Sequence, residues 1–168
     1  MGSSSPANSL RANLDDIKTL VAKIDRQTHA GATMLTAAAL DRLLESALRT
    51  MFARDNREVH DVVFGEFGVL RDFSAKITMA FALGCIDRQG QKRLTAIRRL
   101  RNIFAHSRDY VSFDSEPVRA LITREFGSAA KITSIEGLIS IAEEVELAVL
   151  RTSGLQQEPF VGKLKNIL

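Results

Sequence analysis

Arg101, Asn102 and His106 fall within six residues in the run RRLRNIFAHSRDYVSFD, residues 98–114. Their types suit chemistry on a phosphodiester. Imidazole can move a proton near neutral pH, and guanidinium can hold phosphate oxygens as charge develops. An amide between them can orient either group. The competing reading is structural: Arg101 pairs with an acid on a neighbouring helix, and Asn102 and His106 bond loose carbonyls at a helix end. Neither a metal nor a cofactor is expected. His29 and His60 stand apart, without paired cysteines, clustered carboxylates or an H-E-x-x-H spacing. The chain also lacks a phosphate-binding glycine loop and a G-x-S-x-G nucleophile turn.

The element that must position the three residues is a helix opened by Asp87 and running to about Ala105. With Leu94 at the zero of a helical wheel, Ile97, Leu100 and Phe104 fall at roughly 300°, 240° and 280°, marking the buried face. Arg101 falls at roughly 340°, between Leu94 and Ile97. A guanidinium inside that arc must be paired, lie at a subunit interface or line a pocket, because an unpaired buried charge is too costly. Arg98 and Arg99 point more nearly to solvent. His106 comes five residues after Arg101, an awkward spacing for a same-face contact in one regular helix. The two converge if the helix distorts at Ala105, or if two subunits meet across a twofold axis. The second route suits the spacing better and implies a homodimer.

Charge is concentrated on the same helix. The chain has a net charge of +3, yet residues 88–108 carry seven basic residues and no acidic one, leaving −4 for the remainder. Such a block suits an anionic partner, RNA or DNA first, with Arg93, Arg98, Arg99 and Arg108 as contacts. The alternative is that the basic helix lies against an acidic one. Residues 133–150 supply Glu136, Glu143, Glu144 and Glu146 without a basic residue.

Around this helix the periodicity predicts a single all-α domain, a bundle of six or seven helices. Ser9 caps a first helix with Leu10, Leu14, Ile17, Val21 and Ile24 on one face. A second covers about residues 31–53, with Leu35, Leu40, Leu43, Leu44, Leu48 and Phe52 as its buried stripe. Asp55 and Glu58 have capping-box spacing for a short helix, and GEFG makes a turn behind it. A helix from near Asp72 carries Phe73, Ile77 and Phe81 inward and ends at Gly84. YVSFD is expected to be extended. Ser115 and Pro117 open a helix that ends before Gly127. Thr133 and Glu136 box the last one, which buries Ile135, Leu138, Ile139, Ala142, Val145 and Val149.

The expected domain limits are a disordered leader over residues 1–8, the helical domain over 9–154 and a tail over 155–168. The leader has neither the basic nor the apolar region of a signal peptide, and no apolar run reaches the roughly 18 residues that span a bilayer. Cys85 is the lone cysteine, which excludes an internal disulfide and fits a reducing cytoplasm. Between Gly84 and Ile86 it reads as a buried small hydrophobe. The expectation is a cytoplasmic protein with no membrane partner.

Residues 70–114, LRDFSAKITMAFALGCIDRQGQKRLTAIRRLRNIFAHSRDYVSFD, resemble the core of the bacterial mannitol-operon repressor family. That family's segment has an F-S-x-K-I helix, a glycine before an aliphatic pair, an I-R-x-I-R-N-x-F-A-H helix and a short S-F-D. The resemblance implies an all-helical cytoplasmic regulator without a conventional DNA-reading motif, and no helix-turn-helix stands out here. The hexad RNIFAH, residues 101–106, also matches the R-x4-H signature of HEPN domains. These are helical, commonly dimeric domains, many of them metal-independent endoribonucleases of toxin or antiviral systems. Their likeness implies Arg101 and His106 as catalytic residues and Asn102 as support. The leading expectation is a regulator of gene expression acting through nucleic-acid or protein binding. An endoribonuclease is the alternative, and a protein interaction module the third.

Overall fold

The computed structural model describes residues 29–54, 56–107, 111–127, 134–154, 159 and 161. Among them are six helices and no strand: α1 His29–Thr50, α2 Arg57–Phe64, α3 Phe73–Ala82, α4 Arg88–His106, α5 Glu116–Phe126 and α6 Ile135–Ser153. They form one all-α bundle. The leader and the helix expected over residues 9–24 lie outside the described residues.

The basic helix is the hub. α4 packs against α1, α3, α5 and α6, and buries Leu94, Ala96, Ile97, Leu100 and Phe104. α1 packs against α3, α4 and α6 through a stripe that includes Leu40, Leu43, Leu44, Ala47 and Leu48. Every apolar residue expected inward on α6 lies in this core or packs against it. Cys85 belongs to it as a small hydrophobe, and burial pushes its thiol pKa up. Thr152 Oγ1 donates to the Cys85 carbonyl (2.7 Å), tying the end of α6 to the α3–α4 turn. Val161, in the stretch expected to be a tail, is buried, and its N–H donates to Glu146 Oε2 at 2.8 Å.

Helix ends follow local chemistry, with two corrections. Asp87 caps α4 by accepting from the Gly90 N–H at 2.7 Å, and Gly84 takes φ of +75° just past α3, a conformation that favours glycine. Ser115 stands at the N-cap of α5 as expected, whereas two other caps sit one residue later than expected. Asn56 accepts from the Val59 N–H (2.9 Å) to open α2, and Ser134 accepts from the Gly137 N–H (3.3 Å) to open α6. Glu58 and Glu136 therefore occupy the second helical position, where they face the helix dipole and do not close a capping box. Asp55 and Thr133 themselves lie outside the described residues.

YVSFD also departs from expectation. Tyr110 is not described, and the remainder forms a turn held by Ser115 N–H to Ser112 O (3.1 Å) and Ser112 N–H to Ser115 Oγ (2.9 Å). The turn exists to bury Phe113, which is 1% exposed. Its ring meets Phe104 edge-on, with centroids 5.6 Å apart, and lies 4.8 Å from the His29 ring. Its N–H donates to His29 Nδ1 at 3.0 Å, so that nitrogen is the unprotonated one.

On α3 the inward face is shifted. Ile77 is buried as expected, but Phe73 and Phe81 are half-buried and Lys76 lies deeper than either, 3% exposed. Its ammonium is 2.7 Å from Glu45 Oε2 and 3.1 Å from Asp41 Oδ1, both on α1. His60 Nε2 reaches the other Glu45 oxygen at 3.1 Å. Burial pushes the Glu45 carboxyl up, but the hydrogen bonds and charges of Lys76 and His60 outweigh it and hold the pKa below its ordinary value. For Asp41, burial wins over Lys76, and the pKa is raised.

The depressed Glu45 pKa means a stabilising contribution that is complete above the ordinary carboxylate pKa and disappears as pH falls through the folded value. Glu45→Gln should cost about 1–3 kcal/mol at neutral pH, the scale for one hydrogen bond to a charged group. Urea titrations should show the gap from wild type narrowing below about pH 4. Phe113→Ala should cost about 3–5 kcal/mol in the same assay.

Candidate functional site

The last turns of α4 carry the three residues singled out by type. Arg101 is exposed, Asn102 half-buried, and His106 the exposed final residue of the helix. A wheel locates only the Cα, and the arginine stem carries its charged end out beyond the apolar arc. The expected choice between pairing, interface and pocket therefore does not arise from burial. Arg101 does meet one expected neighbour: its Nη1 donates to Asn102 Oδ1 at 3.1 Å.

His106 is not brought to them by a kink. Helix α4 is unbroken through Ala105, and the Ser107 N–H closes its end on the Ile103 carbonyl at 3.0 Å. On a regular helix a five-residue separation turns two side chains about 140° apart, with a rise of about 7.5 Å. Within one chain, then, Arg101 and Asn102 form a pair while His106 faces elsewhere.

The basic block divides in two. Arg93 is half-buried and pairs with Glu144 of α6 at 2.7 Å, and Arg99 pairs with Glu125 of α5, which also takes Arg124. Arg88 lies over the Phe81 ring, 4.6 Å from its centroid. These three cations serve the bundle; of them only Arg93 meets the acidic segment 133–150 that the alternative reading named. Lys92 is exposed and Arg98, expected to face solvent, is half-buried; neither pairs with an acid among the described residues, and Arg108 lies outside those residues. The surface left for an anionic partner is thus narrower than the sequence suggested: Lys92, Arg98, Arg101 with Asn102, and His106.

Sequence reasoning passed over the cluster that buried Lys76 forms with half-buried Asp41, Glu45 and His60. A signal was present. Asp41 and Glu45 stand one turn apart inside the apolar run AAALDRLLESAL, and a lysine interrupts the core face of α3. His60 bonds Glu45, and His29 accepts from the Phe113 N–H. Among the described residues no three metal-ligating side chains gather, and no helix is long and apolar enough to cross a membrane.

No protein-family model and no curated protein sequence matches the chain. A solved structure described as the X-ray structure of the MtlR-HPr complex from Escherichia coli contains a chain of similar fold. The TM-score is 0.54 with 16% identity, over 90% of this chain and 96% of that one. At this identity the likeness concerns the fold.

Divided duties of the arginines set an expectation. Arg93→Gln and Arg99→Gln should each lower stability by less than about 1 kcal/mol, as befits partly exposed ion pairs. Arg98→Gln should leave stability unchanged and flatten the salt dependence of nucleic-acid binding by roughly one phosphate contact. Denaturant melts and titrations at several salt concentrations check both.

Proposed function

We propose that this protein is a regulator of gene expression of the mannitol-repressor kind. It acts by binding a macromolecule through the exposed basic side of α4. The observation that carries this reading is the fold likeness to a chain of the MtlR-HPr complex, which spans nearly the whole of both chains. The resemblance over residues 70–114 supports it from the sequence side. The neighbour's structure is a complex with HPr, so a protein is among the partners proposed here, beside RNA or DNA. Lys92, Arg98 and Arg101 supply the positive charge that a nucleic-acid partner requires.

One observation favours a second reading, the metal-independent endoribonuclease. Arg101 and Asn102 are hydrogen-bonded to each other and exposed enough to meet a strand, as an R-x4-H site needs. His106 would then come from a second chain, since it faces away within its own. In such a homodimer Arg101 would hold the phosphate and His106 of the other protomer would move the proton.

Incubation of the pure protein with RNA in EDTA, wild type beside His106→Ala, separates the two. A regulator cleaves with neither protein and binds a defined operator DNA or a partner protein with both. A ribonuclease loses cleavage in His106→Ala with its melting temperature unmoved, and also in Arg101→Lys, because lysine lacks the planar fork that spans two phosphate oxygens. Light scattering at tens of micromolar should give a dimer, and a monomer would remove the ribonuclease reading's shared site.

A further inference from the structure

The turn between α2 and α3 displays apolar side chains that the core does not take. Phe67 is 93% exposed, Val69 77% and Val62 68%, the three most exposed large hydrophobic side chains among the described residues. Phe64 and Leu70 on either side of the tip are buried, so the segment is anchored in the core while the tip stays outside. Apolar surface displayed in this way costs solubility and adds nothing to stability, and it marks a place where another surface binds.

The display is built into the backbone. The Leu70 N–H donates to the Val63 carbonyl (2.8 Å) and closes the loop, within which the Gly68 N–H donates to the Gly65 carbonyl (2.9 Å). Arg71 Nη1 clamps the Glu66 carbonyl at 2.7 Å. A Cβ on Gly65 would collide with the Asp61 carbonyl oxygen, and one on Gly68 with that of Val63. Both glycines are needed to fold the turn against the end of α2, and Glu66 and Phe67 are pushed outward between them. Val62 and Val69 each precede one of the two residues joined by the closing bond, at the base of the loop.

The charges here are unlike those of α4. Residues 57–72 carry four acids and two arginines. Arg57 pairs with Asp61 (3.8 Å) and Arg71 with Asp72 (3.5 Å), while exposed Glu58 and Glu66 pair with no base among the described residues. Glu58 stands one helical turn before Val62. This negative border repels a nucleic acid or an anionic lipid surface. A twofold pairing of two such tips would set the acids of one copy against those of the other. A basic amphipathic helix fits instead. Four side chains on its apolar face leave a hole for a ring, and lysines or arginines on its flanks meet Glu58 and Glu66.

We propose that the α2–α3 turn is a docking surface for a basic amphipathic helix of a partner protein. Phe67 is the anchor, Val62 and Val69 are its apolar surround, and Glu58 and Glu66 orient the helix by charge. This goes beyond the reading of α4 given above and does not depend on it.

The probe is a leucine–lysine peptide of about four helical turns, apolar on one face, with a scrambled peptide of the same composition as control. Titrated into the 15N-labelled full chain, it should shift the amide signals of residues 62–70, and the scrambled peptide should leave them in place. Phe67→Ser should bind the peptide at least about tenfold more weakly, as for a central aromatic anchor, with an unmoved denaturant midpoint. Glu58→Gln combined with Glu66→Gln should weaken binding and flatten its salt dependence. Absent shifts in the turn, equal shifts from the scrambled peptide, unchanged affinity in Phe67→Ser or unchanged salt dependence in the double variant overturns the proposal. So does either other occupant: a wild-type dimer in sedimentation that Phe67→Ser dissolves, or phosphatidylcholine vesicles that carry down the wild type and leave Phe67→Ser in solution.

Discussion

Helix α4 is buried along one side by four other helices, and it carries six of the chain's 23 lysines and arginines. Those two facts constrain each other. An arc holding Leu94, Ala96, Ile97, Leu100 and Phe104 fixes the rotation of the helix, because turning it would expose apolar surface and bury cations. Once the rotation is set, each arginine has its environment assigned by position. Arg93 faces α6 and finds Glu144; Arg99 faces α5 and finds Glu125. Exposed Lys92 and half-buried Arg98 meet no acid among the described residues, and Arg101 comes out at the edge. The charged surface is what remains after the core has been satisfied.

Lys76 shows the same logic from inside. A lysine that is 3% exposed is tolerated only because α1 brings two carboxylates one helical turn apart to within 3.2 Å. Its burial binds α3 to α1 through charge, where the rest of that contact is apolar. His60 extends the arrangement to α2, which contributes little else to the core beyond Phe64. A bundle held in this way has one polar cluster joining α1, α2 and α3.

Phe113 performs the complementary task on the apolar side. It fills the space between Phe104 and His29, so the turn after α4 is anchored to the first residue of α1. The end of α4 is held there, and a regular helix persists to His106. That regularity has a consequence for chemistry. A motif of arginine and histidine five residues apart stays split on an unbroken helix, and a shared site has to draw its histidine from another chain.

Much of the bundle was legible in the sequence because helix formation is local. The 3.6-residue spacing of Leu40, Leu44 and Leu48, or of Leu138, Ala142, Val145 and Val149, requires no knowledge of partners. Asp87 and Gly84 act on their own few residues, and both were readable as helix-end signals. Caps one residue off, Asn56 and Ser134, missed because neighbouring polar residues compete for the same N–H groups and local spacing barely separates them. What only the tertiary structure decided is which charges meet. Glu144 lies 51 residues beyond Arg93, and Asp41 lies 35 before Lys76. The local pattern does not tell a solvated arginine from a paired one: Arg101 falls in the apolar arc and is exposed, while Arg99, on the polar side, meets Glu125. The sequence determined a helical bundle with its candidate chemistry at the end of a basic helix. Packing decided which of those groups stay available, because an ion pair is made by distance in space and not by distance along the chain.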